Sequence, residues 1–393
     1  MNYDFAVESL PDLHTVLAQA RETAPVVPAL FLGERAWLVT RHADVAAAFT
    51  DEEAIPSAAA YRLFAEPVQG RTLQCMAGAE HRVNRALVSP AFRPAEIRRL
   101  TESVLAPAAD QLADSLAGRD RVDLVEEYAA RLPFLVITRL LGLSDADLPD
   151  LRRWATALFS YSADPAKATE GAAAFTRFLG GLLDSRRQDP QDDLLSQLVT
   201  GETVADDGTV HRLTDEEIFS FIRLLFPAGA DTTYRAIGSM IYALLAHSGR
   251  WEQVRDDPST RSAAIEETLR WEPPVAIQPR RTTGETRWGV GPDEWILFGT
   301  AAANRDPAVF AEPDVFDPGR APGQLLSFGA GPHYCLGAHL ARAEMRAALD
   351  ALTARFPHLE LAVRPDQIRF GDAILRGPKT LRVRLPGTGP RIP

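Results

Sequence analysis

Apolar positions along the chain recur mainly every three to four residues, the helical period, with only a few short runs of strand character. Residues 8–50 hold short apolar segments, of which 36–40 predicts a strand and 41–49 a helix. From 80 to 100 the spacing is helical, interrupted near Pro90 and Pro94. Residues 103–142 and 148–185 predict further helices. The polar stretches 186–193 and 201–208 predict loops, the second with room for a small hairpin, and between them lies the short apolar segment 194–199. Thr214 with Glu217 forms a capping box. Apolar positions then follow through Phe221, Leu224, Leu225, Ile237, Met240, Ile241, Leu244 and Leu245. A continuous helix over 215–246 would be roughly 48 Å long and cross the whole protein. Pro227 and Gly229 inside it predict a kink or a widened turn. Next come a helix near 259–271, strand-like pieces in 275–301, a proline-punctuated loop from Pro307 to Pro322, and a helix after Cys335 ending near Phe356. The tail 386–390 is expected to fray. The pattern predicts a mainly α protein with small β-sheets, without internal repeats and without the alternation of a Rossmann fold.

Composition narrows the classes. The 393 residues are 46% hydrophobic and 24% charged, an ordinary globular mix that leaves one large unit or two domains open. A net charge of -11 argues against broad nucleic-acid binding. Cys75 and Cys335 are the two cysteines, too few for a four-thiolate metal site or a disulfide scaffold. The 29 prolines are spread between apolar runs and so read as loop punctuation. With no signal-like start and no apolar run of bilayer length, a cytoplasmic, unanchored protein is expected.

Two local patterns carry chemistry. The first runs from Phe328 to Gly337, with Gly329 and Gly331 permitting tight or left-handed turns and Cys335 standing just before a helical pattern. A helix N-terminus favours a thiolate. No zinc-ligand spacing surrounds this cysteine, whereas a single axial thiolate on haem iron needs no other. Cys75, in Leu73-Gln74-Cys75-Met76, has no such setting and reads as a core or pocket-lining thiol. The second pattern is Ala228-Gly229-Ala230-Asp231-Thr232-Thr233. An acid and hydroxyls inside an apolar helix cost stability and need a reason. The small residues leave space over a flat cofactor. As a functional pair, Thr232 could donate to bound dioxygen or hold a water and Asp231 could relay protons; as a structural one, they would mark a loop or a helix start at Asp231.

The Phe328–Gly337 loop matches the haem-ligand motif of the cytochrome P450 family, and the chain is similar to that family in several further places. Residues 228–233 resemble its oxygen-binding helix, and the arginine-proline pair of fatty-acid peroxygenases is absent. Glu267-Thr268-Leu269-Arg270, followed by an aromatic and Pro273-Pro274, resembles its Glu-x-x-Arg pattern, with Arg320 as the third partner in a structural role. Residues 301–307 resemble its Ala-x-Asn-Arg-Asp-Pro stretch. The resemblance implies a single catalytic domain over 1–393, with the family's triangular prism crossed by a long helix over the haem. It implies haem b (iron protoporphyrin IX) ligated by Cys335, with Ala228, Gly229, Phe328, Gly329 and Gly337 against the cofactor. It points to His81, Arg85, His333 and Arg280 for the propionates, with the neighbouring Arg281 as an alternative to Arg280.

The implied activity is a monooxygenase that uses O2 to hydroxylate or epoxidise a mostly apolar small organic substrate in bacterial specialised metabolism, such as antibiotic biosynthesis. Oxidative coupling, ring formation or desaturation are alternatives, and a haem-binding sensor or carrier is one of another class. Asp231 and Thr232 are the implied catalytic residues. Ferredoxin and its reductase are the implied electron donors, meeting a local basic patch of Arg93, Arg98, Arg99 and Arg342. A monomer is expected. The pocket is expected to draw on the 56–78 loop, the 160–185 helices, the central helix, the 275–278 turn and a late turn at 372–375. Its candidates are Tyr61, Leu63, Phe64, Met76, Phe226, Val275, Ile277, Gln278, Ile374 and Leu375, with Gln278 as an orienting polar group.

Overall fold

The structure is a computed structural model that describes residues 3–6, 10, 12–159, 164–204, 208–321 and 323–386. The end of the expected frayed tail, residues 160–163 of the expected pocket helices, and Pro322 lie outside the described residues. The described part is mostly helical. Its central helix runs as Asp215–Phe226, a widened turn Pro227–Asp231, and Thr232–Ala246. The capping box forms at its start: Glu217 N–H donates to Thr214 Oγ1 at 3.3 Å, and Thr214 N–H donates to Glu217 Oε2 at 2.8 Å. The turn opens where Pro227 has no N–H to return to the preceding turn and its ring crowds the carbonyl four residues back.

The described strands are β1 (Val26–Phe31), β2 (Glu34–Val39), β3 (Arg121–Asp123), β4 (Thr203–Val204), β5 (Val210–His211), β6 (Gln278–Arg281), β7 (Trp295–Phe298), β8 (Glu360–Leu361) and β9 (Arg382–Arg384). They make a four-stranded sheet in the order β1-β2-β7-β6, a three-stranded sheet β3-β9-β8 and the small hairpin β4-β5. Within the larger sheet β2 and β7 are parallel and the other pairs antiparallel.

The largest apolar cluster gathers around the central helix. Phe226, Ile237, Met240 and Ile241 pack there with Tyr128, Leu135, Phe175 and Leu349, all buried. Each such aliphatic or aromatic side chain contributes about 1.5–3 kcal/mol of transfer free energy, which offsets the weakened helix at the widened turn. A second cluster joins the N-terminal helix Leu13–Thr23 to the four-stranded sheet through Leu13, Leu17, Phe31, Ile277 and Leu297. A third, with Val39, Phe49 and Phe298, lies beside the cysteine loop.

Several expectations are corrected. The 103–142 stretch is not helical throughout, because β3 interrupts it; three residues are too short for periodicity to reveal, and the pairing partner β9 lies at the other end of the chain. The 56–78 segment is not a loop but carries the helices Ser57–Phe64 and Glu66–Gln69 and a tight turn at Leu73–Cys75. The helix Pro165–Gln188 runs into the stretch expected to be a loop, with Arg186 and Arg187 in its last turn, where cations suit the carbonyl end. A short helix, Thr300–Ala303, begins at the end of the expected strand region. Among the described residues no helix is long and apolar enough to cross a membrane.

Candidate functional site

The cysteine loop is shaped by its glycines. Gly329 and Gly331 have φ of 70° and 71°. A Cβ at Gly331 would stand 3.0 Å from the Phe49 carbonyl oxygen, so a side chain is excluded there by space as well as by backbone conformation. Cys335 N–H donates to the Phe328 carbonyl at 2.9 Å and closes the loop. The helix Ala338–Arg355 begins three residues later, and the backbone N–H of Gly337 points at the sulfur. The Cys335 thiol is accessible, yet burial pushes its pKa up. A sulfur recessed below the outer surface would combine the two properties. Ala228, at the widened turn in the middle of the buried central helix, is likewise exposed.

Four donors converge near this loop. Arg85 Nη2 donates to the Tyr334 carbonyl at 2.6 Å. The rings of His81 and His333 lie 4.1 Å apart, and each has a buried Nε2 with no hydrogen-bond partner. His333 Nε2 is 3.6 Å from Glu52, outside hydrogen-bond reach. Burial, then the positive neighbours His81, Arg280 and Arg85, push the His333 pKa down to about 3. Burial and Arg85 lower that of His81. Arg280 is buried and donates to the adjacent Pro279 carbonyl. Strand alternation sends Arg281 the other way, onto Asp293 at 2.7 Å and over the Trp295 ring. Two histidines with unpartnered buried Nε2 atoms beside two arginines suit two carboxylates presented together, as on a haem, near the Cys335 sulfur.

At the widened turn, Thr232 Oγ1 donates to the Ala228 carbonyl at 2.7 Å. The Asp231 carboxylate accepts from Arg235 Nε at 3.2 Å, a partner that sequence reading missed although the four-residue spacing signals it. Gly229 also has a packing role. Its added Cβ would meet Ile137 Cδ1 at 3.2 Å, so its smallness serves packing against the helix Leu132–Leu140.

Behind the loop, Glu267 and Arg270 are buried and pair twice at 2.8 Å, and Arg320 Nε reaches Glu267 at 3.5 Å. Asn304 extends this network: its side chain accepts from Leu326 N–H at 3.0 Å and donates to Ser327 Oγ at 2.7 Å, at the root of the cysteine loop.

The pocket candidates divide. Val275 and Leu375 form a bridge between two segments and are partly exposed, as are Tyr61, Phe64 and Ile374. Leu63 is a correction: it is 54% exposed and lines an outer cleft with Glu34, Arg281 and Asp293. Met76, Phe226 and Ile277 are buried in apolar clusters. With its amide carbonyl turned to Arg280, Gln278 accepts from Arg280 Nη2 at 2.9 Å and from the Tyr61 hydroxyl at 3.1 Å, so its polar group is engaged by protein. Phe328 lies under Arg342, whose guanidinium is 4.4 Å from the ring centre. Cys75 is buried, with Thr72 Oγ1 3.4 Å from its sulfur.

Comparison with known proteins agrees with this architecture. A family profile described as Cytochrome P450 matches residues 173–385. The chain is 36% identical to Cytochrome P450 107B1 of Saccharopolyspora erythraea, covering 95% of each chain. It is 35% identical to 6-deoxyerythronolide B hydroxylase of the same organism, covering 96% of each. The solved structure of the Bacillus subtilis bacillaene polyketide synthase cytochrome P450 PksS superposes with a TM-score of 0.87 at 32% identity, over 95% of this chain and 97% of that one.

Proposed function

The chain belongs to the cytochrome P450 family, and from that premise we propose that it is a haem-thiolate monooxygenase acting on a mostly apolar organic substrate in bacterial specialised metabolism. One observation carries the reading: an accessible thiol at Cys335 stands near two histidines whose buried Nε2 atoms have no partner, with Arg85 and Arg280 beside them. Cys335 would hold the iron of haem b, and binding to iron deprotonates a thiol that burial otherwise keeps neutral. His81, Arg85, Arg280 and His333 would hold its carboxylates. When bound, the haem supplies O2 activation, with the thiolate favouring O–O cleavage.

The protein's own part is placement and proton supply. Thr232 presents a hydroxyl beside the exposed Ala228, where it can pass a proton or position a water. Asp231, one residue earlier, has a partly exposed carboxylate that can take protons from solvent. The apolar side chains of Val275, Ile374 and Leu375 would orient the substrate and exclude water. Similarity to a hydroxylase named for 6-deoxyerythronolide B supports an oxidative enzyme of specialised metabolism over a carrier role.

Electrons would come from a ferredoxin and its reductase in the cytoplasm, and the chain would work as one catalytic domain and as a monomer. The basic patch is narrower than charge counting suggests. Arg342 is paired with Glu266, and Arg99 with Glu96 and Asp192, which leaves Arg93 and Arg98 as exposed contributors. The deciding experiment is the spectrum of the reduced, haem-loaded protein with carbon monoxide. The expected result is the red-shifted thiolate band in the native protein and its loss in Cys335→Ser. A native protein without that band would overturn the assignment.

A further inference from the structure

The Asp231 carboxylate is tied to another part of the molecule. Arg235, one helical turn on, donates Nε to Asp231 Oδ2 at 3.2 Å and Nη1 to the Leu375 carbonyl at 3.1 Å. One guanidinium therefore spans the acid of the central helix and the late turn expected to touch substrate. The turn is built to receive it. A Cβ at Gly377 would stand 2.8 Å from Arg235 Cβ, and one at Gly371 would stand 3.2 Å from Arg235 Nη1. The same two glycines close the turn, Gly371 N–H donating to the Gly377 carbonyl at 2.8 Å. Tyr234 lies against the guanidinium, its ring centre 5.1 Å away.

The far side of the turn rests on the pocket wall. Ala276 N–H donates to the Ile374 carbonyl at 2.8 Å, Arg376 N–H to the Pro274 carbonyl at 2.9 Å, and Val275 bridges Leu375. The Leu375 carbonyl is thus held by Arg235 while its side chain stays partly exposed beside Val275. The ion pair is partly open, with 17% and 18% of the Arg235 and Asp231 side chains accessible. Water can replace either partner, which suits a latch better than a permanent strut.

We propose that Arg235 is a positioning residue that latches the Asp231 carboxylate to the Gly371–Gly377 turn, so that an apolar ligand pressing on Ile374 and Leu375 changes how Asp231 is held. The inference rests on the reading of Asp231 as a proton relay. It makes proton supply responsive to an occupied pocket and links the two by reciprocity: what the ligand does to the latch, the latch does to ligand affinity.

The test uses the haem-loaded protein in wild-type, Arg235→Ala, Arg235→Gln, Arg235→Lys and Asp231→Asn forms. Affinity for econazole, a bulky aryl azole, and for imidazole is read from the haem absorption shift. Backbone hydrogen exchange is followed over residues 371–377. The solvent deuterium isotope effect is measured on oxygen consumption driven by a surrogate ferredoxin and reductase. In the Ala and Gln forms, econazole affinity should fall roughly three- to tenfold with imidazole affinity unchanged, a size ordinary for coupled sites. Exchange over the turn should rise and the isotope effect should change. Lysine, which keeps the charge near Asp231 but cannot fork to Leu375, should restore the isotope effect and leave econazole affinity low. Unaltered econazole affinity and exchange in both the Ala and Gln forms would overturn the latch. If Asp231→Asn leaves the isotope effect at the wild-type value, the relay reading itself fails. A responsive Asp231→Asn with an unresponsive Arg235→Gln removes only the latch.

Discussion

Arg270→Lys is expected to weaken the protein out of proportion to its conservative appearance. All five guanidinium donors of Arg270 are used: Nε and Nη2 on the two oxygens of Glu267 at 2.8 Å, Nη2 also on the Val315 carbonyl at 3.0 Å, and Nη1 on the carbonyls of Asn304 at 3.0 Å and Pro313 at 2.7 Å. A lysine ammonium has three donors and no planar fork, so at least two acceptors lose their partner. Val315 keeps a bond from Arg320, and Glu267 Oε1 keeps Asp317 N–H at 2.8 Å, so the loss falls among Glu267 Oε2, Asn304 and Pro313, which a lysine tip cannot reach together. Arg270 is 1% exposed, which denies water as a substitute. Each buried acceptor left unpaired costs about 1–3 kcal/mol, so the total is roughly 2–6 kcal/mol. A chain of this length has an unfolding entropy of about 0.8 kcal/mol/K, which converts the loss to a fall in Tm of roughly 2–7 °C. Thermal unfolding followed in parallel by far-UV circular dichroism and haem absorbance is the assay. Haem release should move down with the helices, because Asn304 joins this network to Leu326 and Ser327 at the base of the cysteine loop. A Tm within 1 °C of wild type would refute the reasoning.

Three further outcomes are expected. Thr232→Ala should uncouple turnover, with peroxide rising at the expense of product; tight coupling in that variant would remove the hydroxyl from proton supply. His14 donates Nε2–H to Glu272 at 2.9 Å, while its Nδ1 is sealed from water without a partner. Burial lowers its pKa below the ordinary 6.5, so the folded state holds it neutral. Its contribution is therefore complete above pH 6.5 and is lost as pH falls through the lowered value, because the unfolded chain takes up the proton first. His14→Gln should flatten that acid limb in a urea titration series, and an unchanged limb would refute the assignment. Glu344 works in the opposite sense: burial pushes its pKa up to about 8, so the folded state keeps the proton. Stability from this group is present below pH 4.5 and is lost as pH rises toward 8. Glu344→Gln should gain on wild type at pH 8 relative to pH 5, and an equal difference at both would show that the carboxyl is solvated or paired.

How much of this was legible in sequence depends on whether the signal was local. The capping box at Thr214, the widened turn at Pro227 and the helix following Cys335 are written within a few residues of where they act, and the structure has them there. The strand β3 is not, because its three residues are specified by pairing with β9, far along the chain. The same division runs through the site. Asp231 and Thr232 stood out as polar residues in an apolar helix, whereas the Arg235 contact to Leu375 needed the fold to bring residues 140 apart in sequence together. Leu63 misled because an apolar residue in a segment expected near the pocket looks alike whichever way its helix turns. The structure turns it outward, beside Arg281.

The chemistry sits on the least regular backbone. The cysteine loop has two residues in left-handed conformation, and the widened turn gives up the ordinary helical ladder. Neither has the regular ladder of a long helix or sheet, so side chains add to the few backbone bonds that hold each. Asn304, Arg270 and Glu267 supply that restraint behind the loop, while Thr232 back-bonds to Ala228 and Arg235 ties Asp231 to the late turn. The two restraints differ in kind. The Glu267–Arg270 pair is sealed from water and saturated with partners, so it can only hold. The Asp231–Arg235 pair is accessible and shares its guanidinium with a pocket turn, so it can exchange partners. Substitutions in the first network should therefore change stability and haem retention together. Those in the second should change ligand affinity and proton supply with little cost in stability, a separation that thermal unfolding and azole titration on one variant set can measure directly.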